Sequence, residues 1–92
     1  LPAIEAVLEQ HLVTDADDGP VLAVEATPSE GHPEIVLFTL RDIDRPTANG
    51  LLRAAGLSAL HNVSQVVRLE RMPVLGTGKT DYRALRARLT GA

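Results

Sequence analysis

Cysteine is absent from the 92-residue sequence, which excludes disulfide bonds and zinc sites built on thiolates. Tryptophan is also absent, and Phe38 and Tyr82 are the only aromatic residues, so a folded core must be aliphatic. The formal net charge is −3, so there is no basic excess to accompany stacking aromatics. A surface that binds nucleic acid normally shows both features. The composition therefore predicts no nucleic-acid partner.

Long apolar runs are missing as well. No stretch approaches the ~20 apolar residues that a membrane-spanning helix needs, and the N-terminus lacks the basic and apolar regions of a secretory signal. These absences predict a cytoplasmic protein. They also predict that this domain does not insert into a membrane. The sequence begins abruptly at Leu1 without an initiator methionine, which predicts a fragment of a longer chain.

Helical and strand patterns alternate along a chain long enough for one small domain. Apolar residues recur at helical spacing near the N-terminus, and Gly56 stands where a helix C-terminal glycine is expected. Asp81 is predicted to cap the last helix. The patterns predict helices at 2–13, from Arg45 to about Gly56, and from Tyr82 onward, with strands at 21–27, 34–40 and 63–70.

The middle strand is apolar on both faces over residues 35–38, which indicates a central strand covered on two sides. Its short link to the preceding strand, 28–33, predicts an antiparallel pair. The alternation from Val63 to Glu70 predicts a half-exposed third strand. We therefore predict an α+β fold with a small mixed or antiparallel three-stranded sheet and helices packed on it.

The stretch at 72–82, MPVLGTGKTDY, holds the most distinctive chemistry. Gly78-Lys79-Thr80 fits the end of a phosphate-binding loop, but Pro73 stands where the first glycine should be. Only twelve residues follow Thr80, too few for the parallel sheet that such a loop serves. A glycine turn with a solvated lysine is the plain alternative.

The pattern MP-x-x-GTGK-x-DY-x-x-L over residues 72–85 resembles the last core motif of the AMP-forming acyl and aryl acid ligases, the adenylate-forming superfamily. The order of elements also resembles the small C-terminal domain of these enzymes, over nearly the whole chain. Within the superfamily, VLG at 74–76 and EIVLFT at 34–39 look like the synthetase part of 2-acylglycerophosphoethanolamine acyltransferase / acyl-acyl carrier protein synthetase.

The resemblance implies that residues 1–92 are the C-terminal lid domain of a ligase whose large N-terminal domain lies outside this sequence. Lys79 would be the catalytic lysine of adenylate formation, on a substrate- and nucleotide-binding loop formed by Gly76, Thr77 and Gly78. ATP and Mg²⁺ would be held mainly by the N-terminal domain, and no metal site is expected here. A fatty acid would be activated and passed to coenzyme A or an acyl carrier protein, in a parent that is cytoplasmic or associated with the inner face of the cell membrane.

Two other classes of protein stay open on the residues alone. One is a non-catalytic α/β interaction module, and the other is a small nucleotide-binding domain. Among the remaining polar residues, His11 is predicted to pack at the boundary of the core. Arg83, Arg86 and Arg88 predict a solvated helix face, with docking of an acidic carrier protein as the alternative. The acidic turn at 14–20 lacks the spacing of a calcium loop.

Overall fold

The computed structural model describes residues 2–27, 33–58 and 61–89. Within these residues, three helices and three strands follow one another in the order helix, strand, strand, helix, strand, helix, as the sequence patterns predict. The elements are α1 (Pro2–Leu12), β1 (Leu22–Ala26), β2 (Ile35–Thr39), α2 (Arg45–Ala54), β3 (Gln65–Arg68) and α3 (Tyr82–Leu89).

The sheet is mixed, with β2 between β1 and β3. β1 pairs with β2 antiparallel in the register Leu22 to Thr39, and β3 pairs with β2 parallel in the register Val36 to Gln65. All five residues of β2 are buried, which confirms the central strand. The predicted α+β class with a small mixed sheet is also confirmed. Most of the link at 28–33 lies outside the described residues.

The core has two layers, one on each face of the sheet. Alternate residues of a strand point to opposite faces, so Leu37 packs in the layer of α1 and α2, whereas Phe38 packs in the layer of α3. Full burial of each large aliphatic or aromatic side chain contributes about 2 kcal/mol. The first layer is held by Ile4, Leu8, Val21, Leu22, Val24, Ile35, Leu37, Ala48, Leu52 and Val63, and the second by Ala23, Val36, Phe38, Leu69, Met72 and Leu85.

Three predicted positions differ from the structure. β3 is not half-exposed in alternation, because Gln65 is exposed while Val66 and Val67 are each partly buried in opposite layers. An edge strand covered by helices on both faces needs apolar residues on both. His11 is exposed rather than packed, since the last turn of α1 lies at the margin of the core. Ala55, which lies within the helix predicted from Arg45 to about Gly56, is exposed beyond the helix end.

The ends of α2 follow from local chemistry. The Asp44 carboxylate accepts a hydrogen bond from the Thr47 backbone N–H at 2.8 Å. Hydrogen bonding to the Thr47 side chain first, and then to this N–H, lowers the pKa of Asp44. Pro46 is tolerated in the first turn. Gly56 follows the helix with φ +90°, a conformation that favours glycine. These signals confirm the sequence prediction for this helix.

The acidic turn before β1 is held in place by an ion pair between Asp17 and Arg41. Asp17 accepts hydrogen bonds from the Arg41 guanidinium at 2.5 Å and from the Thr14 backbone N–H at 2.7 Å. The Arg41 hydrogen bond and then the Thr14 bond hold the pKa of Asp17 below its usual value. Arg41 Nε also donates to the Leu12 carbonyl at 3.0 Å. The turn therefore fastens the end of α1 to the segment after β2.

The described part of the chain contains neither a membrane-spanning helix nor a cluster of metal-ligating side chains. No helix there combines the length and apolar character needed to cross a bilayer. No group of three or more His, Cys, Asp or Glu side chains there converges as metal ligands would.

Candidate functional site

The glycine-rich motif folds into a small β-hairpin between β3 and α3. Val74 and Thr80 form an isolated antiparallel bridge. The Leu75 N–H donates to the Lys79 carbonyl at 2.8 Å, and the Gly78 N–H donates to the Leu75 carbonyl at 2.9 Å. Gly76, Thr77 and Gly78 are therefore the loop of a three-residue hairpin, in which the last residue has a positive φ. Gly78 has φ +88°, as this turn requires.

Lys79 follows the hairpin loop directly and is the only lysine in the sequence. Its side chain is exposed, and its ammonium makes no hydrogen bond or ion pair with another residue of the described segments. Only its backbone carbonyl is used in the hairpin. The turn is thus fixed by its backbone while the single ammonium reaches outward.

Two exposed apolar side chains accompany Lys79 on the hairpin. Val74 is 50% exposed and Leu75 is 46% exposed. Among the large apolar side chains of the described segments, Val13 is comparably exposed, at 41%. Because Leu75 pairs with Lys79 through the backbone, an apolar group and a cation lie side by side. The exposed part of the hairpin therefore combines one cation with two apolar side chains.

The exit of the hairpin is anchored to the fold. The Asp81 N–H donates to the Pro73 carbonyl at 2.9 Å, and the Asp81 carboxylate accepts from the Ala84 N–H at 3.2 Å as the cap of α3. The next residue, Tyr82, donates its hydroxyl to Glu5 Oε2 at 2.5 Å. The same Glu5 oxygen accepts from the Val24 N–H at 3.0 Å, on the outer edge of β1.

Glu5 therefore joins α1, β1 and α3 at one point, and it covers a free N–H of an edge strand. Burial first, and then the hydrogen bond and negative charge of Glu5, raise the pKa of Tyr82 well above its usual value of 10.0. Sequence reasoning missed Glu5, because one acidic residue beside the apolar stripe of a helix is an ordinary pattern. The contact joins residues 77 positions apart, so no local signal could have found it.

The two loop glycines offer a matched test of the turn. Replacing Gly78 by alanine forces a side chain into the positive-φ region and should cost about 1–2 kcal/mol of unfolding free energy. Replacing Gly76 by alanine should change it by less than about 0.5 kcal/mol, since φ is not positive there and the added Cβ would meet no atom within 4 Å. Urea denaturation of both variants measures the difference. Equal losses would show that the turn is not fixed in this conformation.

The hairpin differs from a phosphate-binding loop in the secondary structure before and after Lys79. The hairpin follows an edge strand, and Thr80 returns to pair with Val74 before α3 begins at Tyr82. A phosphate-binding loop instead runs from a buried strand straight into a helix whose N-terminus faces the phosphate. The hairpin therefore cannot cradle a phosphate in that manner.

Comparison with known proteins identifies solved structures that share the fold. No family description and no curated protein matches the sequence. Among solved structures, amide bond synthetase McbA from Marinactinospora thermotolerans superposes with a TM-score of 0.76 at 24% identity, over 97% of this chain and 18% of that chain. Mycobacterium tuberculosis fatty acyl CoA synthetase gives 0.71 at 20% identity, over 97% and 17%. ATP-bound MatB from Rhodopseudomonas palustris gives 0.70 at 20% identity, over 95% and 17%.

The chain thus has the fold of one part of these proteins and spans less than a fifth of their length. At these identities the likeness establishes the fold rather than the chemistry. The fold joins the predicted site residues Gly76, Thr77, Gly78 and Lys79 in one hairpin. Their roles in catalysis and binding stay predictions.

Proposed function

We propose that this chain is the mobile small domain of an ATP-dependent, AMP-forming ligase and that Lys79 is its adenylation lysine. The observation that carries the proposal is the outward-reaching Lys79 ammonium on a backbone-anchored hairpin. The fold adds support, because it matches parts of two synthetases and of MatB, which was solved with ATP. The activity, substrates and partners belong to the whole protein and are part of the proposal.

The residues fit a limited contact with ATP. No side chain fills the space beside Gly76 or Gly78, so a ligand can approach the loop closely. The described residues offer the hairpin one cation, Lys79, and no cluster of metal ligands. We therefore assign the binding of ATP and Mg²⁺ mainly to a large N-terminal domain, with Lys79 reaching into that pocket from outside.

One ammonium can serve the reaction by contacting two anions together. Adenylate formation joins a carboxylate to the α-phosphate of ATP and releases pyrophosphate, so two negatively charged groups must approach each other. A lysine ammonium is a compact charge with three rotatable donors and can bridge both. At an effective dielectric constant of 20, one such contact at 4 Å is worth about 4 kcal/mol. It would align the attack and offset charge in the transition state.

The acyl substrate we propose is a fatty acid, and the acceptor is the thiol of coenzyme A or of an acyl carrier protein. The motif variant VLG at 74–76 and EIVLFT at 34–39 support an acyl-acyl carrier protein synthetase, with or without a lysophospholipid acyltransferase domain. After adenylation, rotation of the small domain about a hinge would withdraw Lys79. The hydrogen bond between Asp81 and Pro73 closes the base of the hairpin, and Tyr82 joins it to Glu5 of α1, so the hairpin would move as a rigid part of the domain.

Titration of the isolated 92-residue chain with ATP separates this proposal from its two rivals. The ligase domain is expected to lack millimolar or tighter ATP affinity at Lys79, since it contributes one charge to a pocket built by another domain. Saturable ATP binding that Lys79→Ala abolishes would favour a small nucleotide-binding domain instead. An interaction module predicts a protein complex that forms without the large domain and survives Lys79→Ala.

A further inference from the structure

Positive and negative charges are separated along this chain. Ten of the twelve acidic residues lie before residue 65, whereas six of the nine basic residues lie after residue 64. Three of these basic residues line one groove of about 370 Å³: Arg68 at the end of β3, Arg71 in the turn after it, and Arg88 in α3. Leu69 and Glu70 complete the lining. We call this set of five residues the arginine groove.

The three guanidinium groups of the arginine groove have no partner of opposite charge within the described segments. The two ion pairs found there use other arginines, Arg41 with Asp17 and Arg86 with Glu25. Glu70 is the only acid of the groove and forms no ion pair with it. The lining therefore carries an excess of two positive charges, and like charges close together repel one another until an anion offsets them.

The dipole of a helix accounts for the position of only one arginine of the groove. Arg88 lies in the last turn of α3, where the helix dipole favours a cation. Arg68 and Arg71 lie outside any helix and gain nothing from that dipole. The three arginines are exposed, and buried Leu69 forms an apolar wall beside them.

We propose that the arginine groove binds a phosphate group carried by a small molecule. A guanidinium presents paired N–H donors that match phosphate oxygens, and arginine is the usual choice for such contacts. A phosphate monoester with a charge near −2 would balance the excess of two. The groove volume of about 370 Å³ is large enough to admit a small phosphate compound. Lys79 takes no part, so the inference does not depend on the proposed function.

The test is a titration of the 92-residue chain with inorganic phosphate at low ionic strength, followed by NMR of the arginine Nε–H groups. We expect saturable shifts at Arg68, Arg71 and Arg88. Arg88→Gln should weaken binding about tenfold, the loss of one charged contact. Arg83→Gln is the matched control, because Arg83 is exposed on the same helix and does not line the groove. It should leave the affinity unchanged.

Parallel titrations with ATP, coenzyme A and an acidic peptide identify the source of the phosphate. Binding of ATP or coenzyme A that is lost in Arg88→Gln and kept in Lys79→Ala would support the groove and leave the role of Lys79 open. Circular dichroism checks that each variant folds, and Arg68→Gln provides a second test if Arg88→Gln does not. Equal shifts at every arginine, an unchanged affinity in both groove variants, or tighter binding of the peptide than of any phosphate would overturn the proposal.

Discussion

Replacing Lys79 by alanine in the full-length protein of the proposed ligase is expected to slow adenylate formation about a hundredfold to a thousandfold. That is the usual loss when one group that stabilises transition-state charge is removed. The exposed ammonium has no bond within the described part of the fold to lose, so the domain should unfold at the same urea concentration. Transfer from a pre-formed adenylate to the thiol should continue at nearly the original rate.

Two measurements separate these steps. Pyrophosphate release from fatty acid and ATP reports adenylate formation, and thioester yield from supplied adenylate reports transfer. Lys79→Arg should recover only part of the first rate, because a planar guanidinium cannot place a compact charge between two anions. Arg83→Ala removes an exposed cation four residues away and serves as the control. Equal losses in both half-reactions would assign Lys79 to domain closure or folding instead of adenylation.

Local patterns were enough to predict most of the fold. The doubly apolar run at 35–38 indicated the central strand, and Gly56 marked the C-terminal end of α2. These signals depend on neighbours within a few residues and are readable in one sequence. β3 was misread because Val66 and Val67 serve two different layers. Which faces of an edge strand are covered depends on helices far away in the chain.

The candidate site was predicted in composition but not in shape. The motif predicted Lys79 and its glycines as site residues. The hairpin was not predicted, because it depends on pairing between Val74 and Thr80, and a run of turn residues gives no sign of that pairing. The anchor of the hairpin was missed entirely. Glu5 and Tyr82 are brought together only when α1 and α3 pack on the same sheet. Long-range polar contacts of this kind have no periodicity in sequence.

Glu5 and Tyr82 supply the largest expected effect on stability. Glu5→Leu should lower the free energy of unfolding by about 3 kcal/mol, because the Val24 N–H and the Tyr82 hydroxyl both lose a charged acceptor. Tyr82→Phe should cost about 1.5 kcal/mol, since Val24 keeps its partner. In a double-mutant cycle by urea denaturation, the two residues should show a coupling of about 1 kcal/mol. Glu25→Leu is the control and should show a much smaller coupling, because Glu25 acts on Tyr82 through its charge alone and has its own ion pair with Arg86 at 3.8 Å.

The contact between Glu5 and Tyr82 should also make the fold sensitive to alkali. The folded pKa of Tyr82 is raised above its usual value of 10.0, so the contribution is complete below pH 10 and is lost as the pH rises toward the folded pKa. Tyr82 is the only tyrosine, cysteine is absent and the sequence has a single lysine, so few other side chains contribute in this pH range. Tyrosinate absorbance should report the raised pKa directly, and Tyr82→Phe should flatten the alkaline fall in stability. A tyrosine that titrates at its ordinary pKa would mean that Glu5 does not hold α3 and the hairpin in this position.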